Sequence, residues 1–272
     1  MTGTVSADFD KVGRYTQDAI NGFTTHMLRT FLELGTPQPW MSILDAMGGD
    51  GNFTLKVLAY AREHHWPCLP TVTMVELSRV QCGLAEAQLG TRASVVWGSI
   101  LDPLPPGAYQ RVYLKSGLHE LPWEEQQQAL RNIAQSLTED GQFCQLGFAL
   151  TDRATQAELQ TLAAHKDTLA GLQGMAQRRH FPTRAEVEQL HEQAGLRLVR
   201  TIPCRYSIQT SVVAQQYFQT GHQRATFIEE CEALFTRSHA LRQAGRICVH
   251  GDDSTMTLPG LMTLAGRSEN EG

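Results

Sequence analysis

Short apolar segments alternate with segments of helical periodicity between residues 41 and 149, and this alternation constrains the fold more than any other feature of the chain. Each apolar run has the length and composition of a buried strand, and apolar residues recur at helical spacing in most of the segments between the runs. The runs span 41–45, 71–76, 93–97, 111–115 and 142–149. Strands and helices that alternate in this way form right-handed βαβ units around a parallel sheet. The sequence therefore predicts an α/β, doubly wound, mostly parallel sheet with helices on both faces.

Three regions are predicted from where this alternation begins and ends. Residues 1–40 form an N-terminal helical cap, because apolar residues recur there at helical spacing. Residues 41–217 form the core, with a helical insertion at 151–182. Residues 218–272 form a C-terminal extension, largely helical, that packs on the core.

The position of the last strand of the sheet is left open between two segments. One surrounds Ser211 and the other surrounds Met262, where a strand-like run contains Pro259 and Gly260. Because proline cannot donate a hydrogen bond within a sheet, we interpret the second run as an edge strand.

The composition argues against several classes of protein. Lys and Arg number 23 against 28 Asp and Glu, a net charge of −5, and no basic run provides a surface for a nucleic-acid backbone. No stretch of 18 apolar residues occurs and the N-terminus lacks an apolar signal core, so we expect a cytoplasmic protein without membrane contact. The six cysteines are scattered singly, which predicts reduced thiols and no metal site. We expect a monomer or homodimer.

A glycine-rich turn, Gly48-Gly49-Asp50-Gly51, follows the first apolar strand. In an open α/β sheet such a turn lets the backbone approach a nucleotide, and the next helix presents free N–H groups to it. The dinucleotide pattern G-x-G-x-x-G/A is met only in part, because Thr54 stands at the third glycine position. An NAD(P)-dependent oxidoreductase is therefore a weaker alternative.

The same segment resembles the first motif of the class I S-adenosylmethionine-dependent methyltransferases, an apolar strand that ends in Asp or Glu and is followed by x-G-x-G-x-G. It stands here as Ile43-Leu44-Asp45-Ala46-Met47-Gly48-Gly49-Asp50-Gly51, with Met47 where the family has its first glycine. The resemblance implies a Rossmann-like fold of seven strands, with S-adenosylmethionine as cofactor and S-adenosylhomocysteine as product. It also implies cofactor contacts from Asp45, Gly48, Gly49 and Gly51.

Three further segments extend the resemblance. Glu76 ends the second strand, where the family has its ribose-binding acid, since a carboxylate accepts hydrogen bonds from both ribose hydroxyls. Gly98–Asp102 stands where the family's adenine-contacting loop lies, and Lys115 leads into a Leu-His pair after the fourth strand. The further cofactor contacts implied are Glu76, Leu77, Ser99, Ile100, Lys115 and, from the N-terminal cap, Tyr15, whose alternative is a partly buried helix aromatic.

Four residues are candidates for the chemistry and for the acceptor. His119 follows the fourth strand, and it is interpreted as a base that takes a proton from the acceptor, as a contact to the acceptor, or as a hydrogen-bonded loop histidine that packs near the cofactor. Glu120 either orients His119 or is an exposed charge at a helix start. We favour the exposed charge, because adjacent side chains often point apart. Arg178 and Arg179 either hold a carboxylate or phosphate of the substrate or belong to the solvated surface.

The sequence therefore predicts an enzyme, a methyltransferase of the EC 2.1.1 type. It transfers a methyl group from S-adenosylmethionine to an O, N or S atom of a small-molecule metabolite. A protein that binds the same cofactor without methylating, such as a cyclase, is an alternative, and methylation of a protein is another. The acceptor itself is not predicted, because side chains around a pocket of this fold do not form a substrate code.

Overall fold

The chain alternates strands and helices, and the computed structural model describes residues 2–12, 17–244, 246–250 and 253–268. Within these residues the strands are β1 Ser42–Ala46, β2 Thr71–Glu76, β3 Ser94–Trp97, β4 Tyr109–Lys115, β5 Leu137–Phe148, β6 Leu196–Gln209, β7 Arg246–His250 and β8 Asp253–Arg267. The helices are α1 Thr2–Val12, α2 Gln17–Ile20, α3 Thr25–Leu34, α4 Asn52–Glu63, α5 Arg79–Leu89, α6 Trp123–Ser136, α7 Arg153–Leu169, α8 Arg184–Gln193, α9 Thr210–Tyr217, α10 Gly221–Arg237 and α11 His239–Ala244. No helix in these ranges combines the length and apolar character needed to cross a membrane.

Seven strands form a continuous mixed sheet in the order β3-β2-β1-β4-β5-β8-β6. The first five pair in parallel, and β8 is antiparallel to both β5 and β6. An eighth strand, β7, pairs with β8 outside this path. The predicted doubly wound sheet, mostly parallel with helices on both faces, is confirmed.

The central strands are apolar in their middle because both faces of the sheet are covered. In β1, Ile43 belongs to the core on one face and Leu44 to the core on the other. In β4, Tyr113 and Val112 divide between the two faces in the same way. A strand buried on both faces reads as a continuous apolar run, which is why the sequence locates these strands well.

The last strand along the chain is β8. Two predictions about the C-terminal part of the chain are wrong. Met262 pairs with Leu146 of β5 and with Ile202 of β6, so this segment is an interior strand and not an edge strand. Pro259 is tolerated because it lies beyond the last residue pair that joins β8 to β5. The segment around Ser211 is helix α9 and not a strand. The region after residue 217 thus supplies part of the core sheet itself.

Helix α1 lies across the edge of the sheet at the start of α5. Asp10 accepts hydrogen bonds from the Ser78 hydroxyl at 2.6 Å and from the Val80 N–H at 3.2 Å, and these groups lie at the N-terminus of α5. At the other side of the helix, Asp8 accepts from the Gly174 N–H at 2.6 Å, in the segment after α7. The described part of the N-terminal region therefore bridges two parts of the core.

Candidate functional site

The turn between β1 and α4 is built from backbone conformations and close contacts that few side chains permit. A Cβ at Gly48 would lie 2.2 Å from Cγ of Met74, so a larger residue there would force Met74 to move. Gly51 has a φ of +83°, in the left-handed region that favours glycine. Met47 also lies in this region, with a φ of +58°. The backbone therefore keeps, at Met47, the conformation that a glycine adopts easily.

Asp45 is the penultimate residue of β1, and its carboxylate is buried against the first turn of α4. The Thr54 hydroxyl donates a 2.7 Å hydrogen bond to Asp45 Oδ2. Burial raises the pKa of Asp45 to about 6, although the bond from Thr54 and the charge of Lys115 act against it. Lys115 is itself held by Asp18 of α2 at 2.6 Å. The cofactor contacts assigned to Asp45 and Lys115 stay predictions.

Glu76, at the end of β2, holds the glycine turn. Its Oε2 accepts a 2.9 Å hydrogen bond from the Gly49 N–H, and its Oε1 accepts a 2.8 Å bond from the Ser78 N–H. Burial raises the pKa of this carboxyl, and the two backbone N–H groups oppose that shift. A carboxylate has about four acceptor positions, so two remain for hydroxyl groups of a ligand.

Glu76 opens onto a cavity at the carboxyl edge of the parallel strands, which we call the cofactor cavity. The predicted site residues that line it are Gly49, Glu76, Leu77, Ser99, Ile100, Glu120 and Arg178. Val5 and Phe9 of α1 cover one side. Gly48, Gly51 and Asp45 support the turn, and Lys115 lies beside Asp18. The predicted residues Gly48, Gly51, Asp45 and Lys115 are not among the cavity's lining residues. Tyr15 lies outside the described residues.

The residues of the cofactor cavity fit S-adenosylmethionine. Glu76 offers an acidic group for two vicinal hydroxyls, and Leu77, Ile100 and Leu101 offer apolar surface for a flat ring. Met47 and Gly117 lie in the same cavity, and a Cβ at Gly117 would lie 2.9 Å from the Met47 sulfur. The Met47 side chain thus packs closely over the loop after β4.

A second cavity, which we call the acceptor cavity, lies on the side of the β4 loop where His119 is found. Aromatic and aliphatic side chains dominate its wall, and the polar ones include His119, Asn21, Lys166 and Arg179. The apolar wall comprises Ile20, Phe148, Leu159, Leu162, Ala163, Phe181, Ile208, Val213, Tyr217, Phe227, Phe235 and Met256, with Cys231. The predicted insertion at 151–182 therefore supplies part of this cavity.

His119 and Glu120 stand between the two cavities, and the interpretation of Glu120 as an exposed charge is wrong. His119 lines the acceptor cavity and Glu120 the cofactor cavity. Glu120 is buried, its Oε1 lies 3.4 Å from Nε2 of His119, and its Oε2 contacts Arg179. Burial alone would raise the pKa of Glu120, but Arg179 and His119 more than offset it and hold that pKa below its ordinary value. Glu120 is therefore an ionised partner of His119.

The two neighbouring arginines have different surroundings. Arg178 lines the cofactor cavity, and its guanidinium lies 2.5 Å from Glu125. Arg179 lines the acceptor cavity, is buried, and bonds Asp167 through Nε at 2.7 Å. The idea that both belong to a solvated surface therefore does not hold for Arg179. The assignment of either residue to the substrate stays a prediction.

A chain of alternating charges extends from His119 into α7, and sequence analysis missed its far end. Asp167 bonds Arg179 and also Lys166, whose Nζ lies 2.5 Å from Asp167 Oδ1 and 3.4 Å from the centre of the Tyr217 ring. An adjacent Lys-Asp pair on an amphipathic helix is typical of a solvated face, so no local signal marks it. Over the same described ranges, no group of three His, Cys, Asp or Glu side chains is arranged to hold a metal ion.

Solved structures of very different sequence share this fold. The YcgJ protein from Bacillus subtilis is 13% identical, with a TM-score of 0.69 over 90% of this chain and 100% of that one. The geranyl diphosphate C-methyltransferase of Streptomyces coelicolor A3(2), solved with Mg²⁺, geranyl diphosphate and S-adenosylhomocysteine, is 12% identical, with a TM-score of 0.53 over 89% and 80%. The cyclase SpnF is 13% identical, with a TM-score of 0.55 over 94% and 87%. Comparison with models of protein families gives no match, and neither does comparison with curated proteins.

These likenesses confirm the predicted Rossmann-like fold, which this chain shares with a solved methyltransferase and with the cyclase SpnF. At this level of identity they bear on the fold alone, since one fold hosts many activities. The chemistry has to be argued from the two cavities and from the residues between them.

Proposed function

We propose that the protein is a methyltransferase that uses S-adenosylmethionine to methylate an O, N or S atom of a small molecule. The observation that carries this proposal is the junction of two cavities at His119 and Glu120. One cavity has an acid, a glycine turn and an apolar slot suited to the cofactor, and the other is an apolar chamber suited to an organic acceptor. Methyltransferase-fold neighbours support the enzyme class.

Binding of the cofactor is assigned to the strand-end residues. Glu76 would accept hydrogen bonds from the ribose hydroxyls, while Leu77 and Ile100 would flank the adenine ring and Gly49 would allow the backbone to approach closely. When bound, S-adenosylmethionine supplies a methyl group already activated by a sulfonium charge. The work left to the chain is to align the acceptor, exclude water and, where the acceptor carries a proton, remove it.

His119 is proposed to remove that proton. Its Nε2 lies 3.4 Å from Oε1 of the ionised Glu120, and a ring that holds its hydrogen at Nε2 would keep a lone pair at Nδ1. The acceptor's proton would pass to Nδ1, and Glu120 would stabilise the resulting imidazolium. Stacking on Phe181, with ring centres 5.1 Å apart, restrains the imidazole plane. A thioether, or an amine that arrives neutral, would need no base, and His119 would then only contact it.

Met47 supports a second candidate, a protein that binds the cofactor without methylating. Its side chain lines the cofactor cavity and packs against Gly117, beside the loop that leads to His119. A nicotinamide enzyme is less well supported, because Thr54 is fully buried and its hydroxyl is bonded to Asp45. The third glycine position of the dinucleotide pattern is therefore occupied by a residue with a structural role.

Calorimetric titration with S-adenosylmethionine and S-adenosylhomocysteine, with NAD(H) and NADP(H) as comparison, tests the cofactor. We expect both sulfur compounds to bind in the micromolar range. Glu76→Ala should weaken binding by about 1–3 kcal/mol, or about 5- to 160-fold, because buried hydrogen bonds to a charged group are lost. Glu86→Ala, at an exposed carboxylate of helix α5, which follows Glu76 along the chain, is the matched control. Binding of only a nicotinamide nucleotide would contradict the proposal.

A screen of small-molecule acceptors then tests transfer itself. Formation of S-adenosylhomocysteine together with a product heavier by one methyl group supports methyl transfer, and its loss in His119→Asn supports a base. Conversion of a compound with the cofactor left intact would favour the second candidate instead.

A further inference from the structure

We propose that the acceptor is an amphipathic organic anion, with an apolar body in the acceptor cavity and one negatively charged oxygen bound by Lys166. This inference rests on the proposed function and names the substrate class for the same site. It assigns to Lys166 a role in substrate specificity.

The charged side chains that line the acceptor cavity are cations. Lys166 and Arg179 line the cavity, whereas their acidic partners do not belong to its wall among the residues that the structure describes. Asp167 is fully buried behind them, and Glu120 lines the other cavity. A ligand in the acceptor cavity therefore meets the cations first, in an apolar surrounding that screens charge weakly.

Arg179 makes its hydrogen bonds to carboxylates of the protein. Its Nε and one terminal nitrogen bond Asp167 at 2.7 and 3.3 Å, and its other terminal nitrogen contacts Glu120. Each nitrogen of the planar guanidinium thus has a carboxylate partner, and three of its five N–H donors are in use. Arg179 therefore contributes charge to the cavity and at most two further donors.

Lys166 keeps one N–H donor available for a ligand. An ammonium group carries three N–H donors. Among the described residues its contacts are one hydrogen bond to Asp167 and the face of the Tyr217 ring. The group is buried, with a side-chain exposure of 11%. Its third donor therefore requires an acceptor from whatever occupies the cavity, since a buried donor without a partner is costly.

The electrostatics of Lys166 favour a ligand that carries one negative charge. Burial and the nearby charge of Arg179 lower the pKa of Lys166 to about 8, although Asp167 and Glu120 act against them. An anionic oxygen beside the ammonium would stabilise its charged form. Because Lys166 supplies the one ammonium among the described lining residues, the site matches the single charge of a carboxylate or acidic hydroxyl better than a diphosphate.

The rest of the acceptor cavity defines the body of the ligand. Phe148, Phe181, Phe227 and Phe235 contribute rings, and aliphatic side chains fill the spaces between them. A sugar or a nucleotide would leave hydroxyls without partners against this wall. An alkyl or aromatic body would bury its surface there, and its reacting atom would lie toward His119, at the other end of the charged chain.

The test is calorimetric binding of three probes with the same tail, octanoate, octanol and octylamine, to protein saturated with S-adenosylhomocysteine. We expect octanoate to bind at least about 10-fold more tightly than the other two. Lys166→Met should abolish this preference while leaving octanol binding unchanged, and Lys166→Arg should retain it. Lys56→Met, at a partly exposed lysine of α4, is the control and should change nothing.

The inference is overturned if wild-type protein binds no probe, or if it binds octanol or octylamine with the same affinity as octanoate. It is also overturned if the preference for octanoate survives Lys166→Met, or if geranyl diphosphate with Mg²⁺ binds more tightly than octanoate. The wild-type comparison decides the matter even if Lys166→Met does not fold. Affinity for S-adenosylhomocysteine is measured in the same samples, so failure of the cofactor proposal is recognised separately.

Discussion

Removing Arg179 should destabilise the region between the two cavities. Arg179→Met keeps a long side chain but leaves the buried carboxylate of Glu120 without its cation and Asp167 with Lys166 alone. Breaking a buried ion pair from one side costs about 3–5 kcal/mol, because the remaining charge is neither hydrated nor paired. Total stability of a natural domain is about 5–15 kcal/mol, so the variant should be folded but visibly weakened.

The same variant should also acquire a characteristic pH dependence. In the wild type, the pKa values of Glu120 and Asp167 lie below their ordinary values, so both stay ionised above pH 5 and their contribution to stability is constant there. Without Arg179, burial raises the pKa of Glu120. A carboxyl whose folded pKa is raised contributes stability at low pH and loses it as pH rises through that pKa. The unfolding free energy of the variant should therefore fall as pH rises above the ordinary pKa of glutamate, about 4.3, towards neutral pH.

Urea unfolding followed by tryptophan fluorescence measures these free energies. Glu120→Gln combined with Arg179→Met should recover part of the loss, because the orphaned charge is removed, so the two changes should not be additive. Arg184→Met, which breaks an exposed pair with Glu188, is the control and should cost only about 0–1 kcal/mol. A loss below about 1 kcal/mol for Arg179→Met, or strict additivity in the double variant, would refute the reasoning.

Three further predictions concern the cofactor side. In the wild type, the unfolding free energy should decline as pH rises from about 4 to above 6, because the raised pKa of Asp45 makes its charged form unfavourable in the folded protein. Asp45→Asn should remove this decline. Urea titrations of both proteins at pH 4.5, 5.5 and 7 measure the difference. Gly117→Ala should cost about 1–3 kcal/mol of stability and weaken binding of S-adenosylhomocysteine, because its Cβ meets the Met47 sulfur, and adding Met47→Gly should restore both in thermal unfolding and calorimetry. Asp10→Asn should loosen α1 from Ser78, and hydrogen exchange should show faster exchange in α1 without change in the sheet.

The parts of the site that could be predicted from sequence are those that depend on local pattern and strand order. Once β1 and β2 are placed as neighbouring parallel strands, their carboxyl ends meet at one edge, so Asp45 and Glu76 are brought together. Ser99 and Ile100 follow from β3 by the same logic. The fold is therefore predicted best from the part of the sequence in which apolar runs and glycines alternate.

The parts that could not be predicted depend on contacts between distant segments. Glu120 and Arg179 are 59 residues apart, and nothing near Glu120 signals that a guanidinium will cover it. The β8 strand enters between β5 and β6 by antiparallel pairing that local periodicity does not encode. Pro259 gave a misleading local signal, because its position relative to the end of β5 is set by register and not by composition.

The burial of the His119–Glu120–Arg179–Asp167–Lys166 chain is better explained by positioning than by stability. Buried ion pairs commonly contribute little net stability, since desolvation offsets their attraction, and an apolar core of the same shape would serve as well. What the chain does provide is a fixed imidazole at one end and a fixed ammonium at the other, both facing one apolar chamber. An acceptor held at both ends would reach the cofactor in few orientations, and restricting orientation is a large source of rate in a reaction whose methyl group is already activated. The charges would thus lower the barrier by alignment at a place where they add little to folding.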